Sequence, residues 1–127
     1  MPEELTFDDL EKDLRNNYLG KDVDENKLDE PFELHWRFLR DFAWGLSDDN
    51  PLFCDPAYAA RTRWGCQLAI PTICASIRYP QSHLVIWDKP YPATNLVAGC
   101  KFEWFNVFRV GDRLTSSLMI KDIQRKV

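Results

Sequence analysis

A chain of 127 residues with five Trp, eight Phe and ample aliphatic content can bury one core, which points to a single domain over residues 1–127. Twenty acidic against sixteen basic side chains give a formal charge of −4, which argues against a general attraction to nucleic acid or to an anionic membrane surface. The first nine residues are acidic and carry no apolar run, so they do not read as a secretory or organellar address, and no stretch reaches membrane-spanning length.

The first predicted helix covers residues 7–19, with Thr6 as N-cap, acidic residues in its first turn and Gly20 as the stop. Phe7, Leu10, Leu14 and Tyr18 supply its apolar positions. Residues 21–31 form a polar, charged connection, and a second helix is predicted over residues 34–46. There Trp36, Leu39, Phe42, Ala43 and Leu46 recur at helical spacing and make a core-facing stripe, on which Trp44 is also placed. Asp55 and Pro56 read as an N-cap and a first-position proline of a short helix through Ala60, and Gly65 closes the region.

Residues 68–77 are apolar, and Pro71 marks the start of a buried helix, the candidate central helix. After a loop at residues 89–93 the pattern changes to strands at 96–105 and 113–124, separated by a turn at Gly111 and Asp112, with a third strand at 83–87. Helices first and strands later indicate an α+β domain in which an antiparallel sheet wraps a helix. Two or three strands do not complete a one-faced sheet, so the chain is expected to be a fragment or to have its sheet completed by another segment.

Cys54, Cys66, Cys74 and Cys100 are irregularly spaced, with no Cys-x-x-Cys pair and with both histidines, His35 and His83, far from them in sequence. That spacing predicts no metal site; the cysteines read as small apolar filler, reduced in a cytoplasmic compartment.

The segment 47–55, Ser-Asp-Asp-Asn-Pro-Leu-Phe-Cys-Asp, carries the chemistry-bearing pattern. Asp48, Asn50, Pro51 and Leu52 stand at the spacing Asp-x-Asn-Pro-Leu-His of MaoC-like (R)-specific enoyl-CoA hydratases and dehydratases, with Phe53 in the histidine's place. The likeness extends through Phe42-Ala43-Trp44-Gly45, Asp55-Pro56-x-Tyr58-Ala59, Ile70-Pro71-Thr72, Glu103-Trp104-Phe105 and Arg109-Val110-Gly111-Asp112-Arg113. Over most of residues 35–122 the chain therefore resembles the N-terminal domain of MaoC-like dehydratases, also called fatty-acid-synthase-like dehydratase domains.

The resemblance implies a hot-dog fold, an acyl thioester on coenzyme A or acyl carrier protein as substrate, no cofactor, and a second hot-dog domain in the same chain or another subunit. In active halves, an Asp and a His hold the water that adds across the enoyl double bond while a backbone N–H polarises the thioester carbonyl. Asp48 and Asn50 match the family positions and are the catalytic candidates, but a phenyl ring at Phe53 moves no proton. Active members often read Ile-Ala-His-Gly-Met where this chain has Leu68-Ala69-Ile70-Pro71-Thr72, so Pro71 replaces the glycine whose N–H serves as donor.

The expectation is a silent half, with no catalytic residue of its own, that contributes acyl-binding surface through Trp44, Phe53 and Thr72 and buttresses an active partner. Each of these three has a plain alternative: Trp44 and Phe53 as core, Thr72 as a helix cap. Asp48 equally reads as a turn former, since Asp and Asn before proline organise turns. Arg61, Arg63, Arg109 and Arg113 are candidates for phosphate, with surface or turn roles as the alternative, and Glu103 is a candidate ion-pair partner for Arg109 or Arg113. A hot-dog thioesterase and a non-enzymatic acyl-binding module are the competing functions.

Overall fold

The computed structural model describes residues 4–21, 31–77, 89–94 and 96–126. The chain forms two compact units, one from Met1–Lys27, Arg78–Cys100 and Ser116–Val127, the other from Leu28–Ile77 and Lys101–Thr115.

In the first unit, helix α1 (Phe7–Asp13) opens on Thr6, whose hydroxyl accepts the Asp9 N–H at 3.3 Å while the Asp9 carboxylate accepts the Thr6 N–H at 2.8 Å. This reciprocal capping box, with Asp in place of the usual Glu, satisfies two of the N–H groups that a helix start leaves open. The chain stays helical to Tyr18, but residues Leu14–Tyr18 form a π-helical turn, closed by the Leu19 N–H on the Leu14 carbonyl at 2.8 Å. The predicted single α-helix therefore widens after Asp13, a change of pitch that the apolar spacing does not announce. Gly20 ends it at φ +73°, a left-handed conformation that favours glycine, and its N–H bonds to the Ile120 carbonyl at 2.9 Å.

Asp13 is buried at the junction of the two helical forms. Its carboxylate accepts from Asn17 Nδ2 at 2.6 Å, Lys89 Nζ at 2.7 Å and the Tyr91 hydroxyl at 2.7 Å. These bonds, Lys89 first, then Tyr91 and Asn17, hold its pKa down to about 2. Two of these donors, Lys89 and Tyr91, tie residues 89–91 to α1, and Arg15 and Arg125 add exposed bonds to Ile123 O at 2.8 Å and Asp8 at 2.6 Å.

In the second unit, strand β1 (Phe32–Glu33) pairs antiparallel with β2 (Arg113–Leu114), Phe32 opposite Leu114 and Glu33 opposite Arg113. Helix α2 (Trp36–Gly45) follows, then two single-turn helices, α3 (Pro51–Cys54) and α4 (Pro56–Ala59), and a 3₁₀ helix at Pro71–Ala75. The core gathers Leu34, Leu39, Ala69 and Ile73, flanked by Phe32, Phe38, Phe42, Ile77, Phe108, Val110 and Leu114. Full burial of a Leu or Ile side chain such as Leu34, Leu39 or Ile73 is worth about 2 kcal/mol. The ribbon of residues 108–114 binds both flanks: Gly111 N bonds to Leu34 O at 2.8 Å, and Ala69 N to Phe108 O at 2.9 Å.

Helices with a small antiparallel sheet make this a mixed α+β structure. The turn before β2 forms as predicted, with Gly111 at φ +83° and Asp112 N bonded to Arg109 O at 3.1 Å. The predicted strands shrink. Of residues 113–124 only Arg113–Leu114 joins a strand, with Ile120 in an isolated parallel bridge to Leu19, and residues 96–105 form no ladder among the described residues. An extended pattern needs a neighbouring strand to become sheet, and within the described residues 96–105 have none.

The predicted strand at 83–87, most of the 21–31 connection and the continuation of the candidate central helix beyond Ile77 lie outside the described residues. Among those described, the predicted central helix is a five-residue 3₁₀ turn. No helix of the described residues is long and apolar enough to cross a membrane.

Candidate functional site

The loop at residues 47–55 is built by a chain of local caps that begins at the end of α2. Ser47 N bonds to Trp44 O at 2.9 Å and Asp48 N to Ala43 O at 2.9 Å, the two bonds of a Schellman ending, and Ser47 takes the left-handed conformation at φ 59°. A residue with a Cβ is strained there by roughly 1 kcal/mol. Ser47→Gly is accordingly expected to raise unfolding free energy by about 0.5–1 kcal/mol, read from the urea midpoint; an unchanged or lower midpoint would mean that the Ser47 side chain contributes more than its strain removes.

Asp48 Oδ1 then accepts the Asn50 N–H at 3.0 Å, and Asn50 Oδ1 accepts the Leu52 N–H at 3.0 Å, with Pro51 at the first position of α3. Asp55 caps α4 in the same way, its carboxylate accepting from Ala57 N at 2.9 Å and Tyr58 N at 3.1 Å. Asp48, Asn50 and Asp55 thus each hold a backbone N–H two residues on. The Cys54 thiol donates to Asp48 O at 3.7 Å, and burial first, then the Asp48 and Asp49 charges, push its pKa up. Both causes disfavour the thiolate, the reactive form of a cysteine.

The loop is anchored from outside by Gln67, which is 1 % exposed. Its Nε2 donates to Phe53 O at 2.6 Å and to Trp36 O at 3.1 Å, while Leu68 N donates to Leu52 O at 3.2 Å. Two carbonyls facing the amide fix its orientation, because the reversed amide would set oxygen against oxygen. Gln67 Oε1 is left without a partner among the described residues. The Gln67 carbonyl accepts from Val110 N at 2.9 Å, so one residue links α2, α3 and the 108–114 ribbon.

Phe53 and Thr72 are half-buried, the latter in the first turn of the 3₁₀ helix, where Ile70 rather than Thr72 stands at the cap. The Pro71 carbonyl accepts the Trp104 indole N–H at 3.1 Å. Trp44 departs from its predicted place on the core stripe: it is 54 % exposed, with Arg40 4.5 Å over its ring and 5.1 Å over that of Trp36. Leu46, also assigned to that stripe, is exposed at the helix end.

The arginines do not gather. Arg61 and Arg113 are exposed, Arg63 lies 4.8 Å over the Trp64 ring, and the turn at Arg109 is held by its backbone N–H on Asp112 Oδ2 at 2.8 Å. Glu103 pairs with Lys101 at 3.0 Å, not with Arg109 or Arg113. Among the described residues no three His, Cys, Asp or Glu side chains converge to hold a metal. Cys54, Cys66 and Cys74 are half-buried, but Cys100 is exposed and so is not the apolar filler its composition suggested.

Residues 26–127 match the FAS1-like dehydratase domain region. This chain belongs to that dehydratase family. A UPF0336 protein of Streptomyces avermitilis is 30% identical over 98 residues, covering 75% of this chain and 65% of that one. A UPF0336 protein of Thermobifida fusca is 29% identical over 114 residues, 87% of this chain and 73% of its own length. The chain therefore spans about two thirds to three quarters of these relatives. A crystal structure of protein af1124 from Archaeoglobus fulgidus has a TM-score of 0.47 at 19% identity, over 79% of this chain and 65% of that one.

Within this hot-dog-type dehydratase domain, Asp48, Asn50 and Phe53 share the capped loop that the sequence pattern marked, and Thr72 belongs to a separate turn. Of the two residues that fasten those segments, Gln67 was not singled out from the sequence, and Trp104 entered only as part of the Glu103-Trp104-Phe105 likeness, with no role assigned. The available signal was a lone amide, Gln67, entering the apolar run of residues 68–70.

Proposed function

We propose that this chain is a component of an acyl-thioester hydratase or dehydratase, (R)-specific for enoyl hydration or its reverse, and that it is the half without chemistry. The observation that carries the reading is Phe53 at the histidine position, beside an Asp48 carboxylate oxygen already bonded to the Asn50 N–H. Addition of water needs acid–base groups within reach of the water and of Cα, and a donor aimed at the thioester oxygen. Pro71 has no N–H to give. The remaining contribution is acyl-binding surface, from Phe53, Thr72 and the exposed Trp44, with the thioester carried on coenzyme A or on a carrier protein.

A second hot-dog domain, in the same protein or another subunit, would supply the complete site. Phe102, Trp104 and the 93 % exposed Phe105 support such pairing, for they are exposed aromatics on a segment without a ladder partner among the described residues. An apolar segment without a ladder partner has backbone groups and side chains to offer a neighbouring sheet.

The test is hydration of a short and a long trans-2-enoyl-CoA by this chain alone and by the full-length protein or complex. Turnover is expected only in the larger assembly. There, Asp48→Ala is expected to leave hydration nearly unchanged, whereas removal of a working acid–base carboxylate lowers the rate about 100-fold or more. Turnover by the chain alone, or a loss of that size in Asp48→Ala with folding intact, overturns the silent-half reading.

A further inference from the structure

We infer that Gln67 is the positioning residue that fixes Phe53, and through it the chain-length selectivity of the acyl site. The inference rests on the reading of Phe53 as an acyl-lining residue and names the group that places it. Phe53 belongs to α3, a single turn of four residues, too short to be stable by its own hydrogen bonds. Its local bonds, Phe53 N to Asn50 O and Asp55 N to Pro51 O, both at 2.9 Å, shape the turn but do not place it against the rest of the unit.

Placement comes from residues 67 and 68. The shorter of the Gln67 amide bonds, 2.6 Å, falls on the carbonyl of Phe53 itself. The other, 3.1 Å, reaches Trp36 O in the first turn of α2, so the same NH₂ group measures α3 against α2. Leu68 N adds its bond to Leu52 O one residue earlier. Gln67 is in turn held by its own carbonyl on Val110 N at 2.9 Å and by the pairing of Leu68 with Arg109.

Among the described residues the Gln67 side chain bonds through its NH₂ group, to Phe53 O and to Trp36 O. Its contribution to the placement of α3 therefore lies in where that NH₂ group points. A shift of the Phe53 backbone moves its ring by a similar amount, and a wall displaced by about 1 Å is enough to alter which chain lengths fit.

The experiment compares kcat/KM for a short and a long trans-2-enoyl-CoA in the full-length protein or complex, for the parent, Phe53→Ala, Gln67→Met and the double variant. Phe53→Ala is expected to shift the long-to-short ratio by about tenfold and Gln67→Met by about threefold or more. In the double variant the ratio equals that of Phe53→Ala alone, because Gln67 acts through a ring that is no longer there.

A merely structural role would instead lower kcat/KM for both substrates equally and combine additively in the double variant, and either result overturns the role of Gln67. An unshifted ratio in Gln67→Met beside a shifted one in Phe53→Ala overturns that role alone. An unshifted ratio in Phe53→Ala, or no turnover of any enoyl thioester, overturns the acyl-lining reading and this inference with it. Should Gln67→Met not fold, Gln67→Asn, which keeps a buried amide but falls one methylene short of Phe53, carries the same expectation.

Discussion

Asp13→Asn is expected to lower the unfolding free energy by about 2 kcal/mol at neutral pH, and by progressively less as the pH falls from about 4 toward 2. The carboxylate is buried and accepts from three donors, Lys89, Tyr91 and Asn17, and its folded-state pKa of about 2 lies well below the ordinary value of 3.8. A group whose folded pKa is depressed stabilises the fold fully above its unfolded pKa, and that share is lost as pH drops through the folded value. An asparagine offers one neutral oxygen where two charged ones stood and cannot titrate, so parent and variant converge in acid.

Lys89 is half-exposed and solvent screens its attraction, which keeps the figure below the 3–5 kcal/mol typical of a fully buried broken pair, roughly by half. Urea unfolding at neutral pH, near pH 4 and near pH 3 measures the difference. A gap that stays constant across that range would mean that Asp13 contributes by packing, not as a charge.

The parts of the fold that were legible in the sequence are those decided within a few residues. Thr6, Gly20, Asp55 with Pro56, and Gly111 with Asp112 each settle a cap or a turn by their own side chains or backbone freedom, and all four form as read, while the return bond of Asp9 to Thr6 was added by the structure. The capped loop at Asp48 and Asn50 belongs with them. The π-helical turn after Asp13 was not legible, because apolar spacing does not announce a change of pitch, and neither were the bonds of Asp13 to Lys89 and Tyr91, more than seventy residues away.

Trp44 was misplaced for a different reason. At 3.6 residues per turn it stands about 140° round the helix from Leu39, on the face shared by Trp36 and Arg40, so the stripe of Leu39, Phe42 and Ala43 never included it. Strands were overread because alternation specifies an extended chain and not its partner. Gln67 was passed over because a single amide acquires meaning only when the two carbonyls it meets, fourteen and thirty-one residues earlier, are known.

Phe53→His is expected to leave this half without measurable hydration, even though it restores the family's Asp-x-Asn-Pro-Leu-His pattern. Under the proposed hydratase reading, the two departures remove different parts of the chemistry. A histidine would return acid–base capacity worth about 100-fold to 10,000-fold, but the developing enolate oxygen would still meet Pro71, and one missing donor leaves a deficit of about 3 kcal/mol, or roughly 100-fold. The Pro71 carbonyl is moreover pinned by the Trp104 indole at 3.1 Å, so the turn is held in its present setting.

The variants Phe53→His, Pro71→Gly and the two combined are to be compared in the full-length protein or complex with the partner half's own site inactivated. Activity is expected to emerge only in the combination, with circular dichroism confirming that glycine at the start of the 3₁₀ helix has not unfolded it. Hydration by Phe53→His at the rate of the combined variant would show that Pro71 occupies no donor position. The proposed silence of this half would then come down to the single missing histidine.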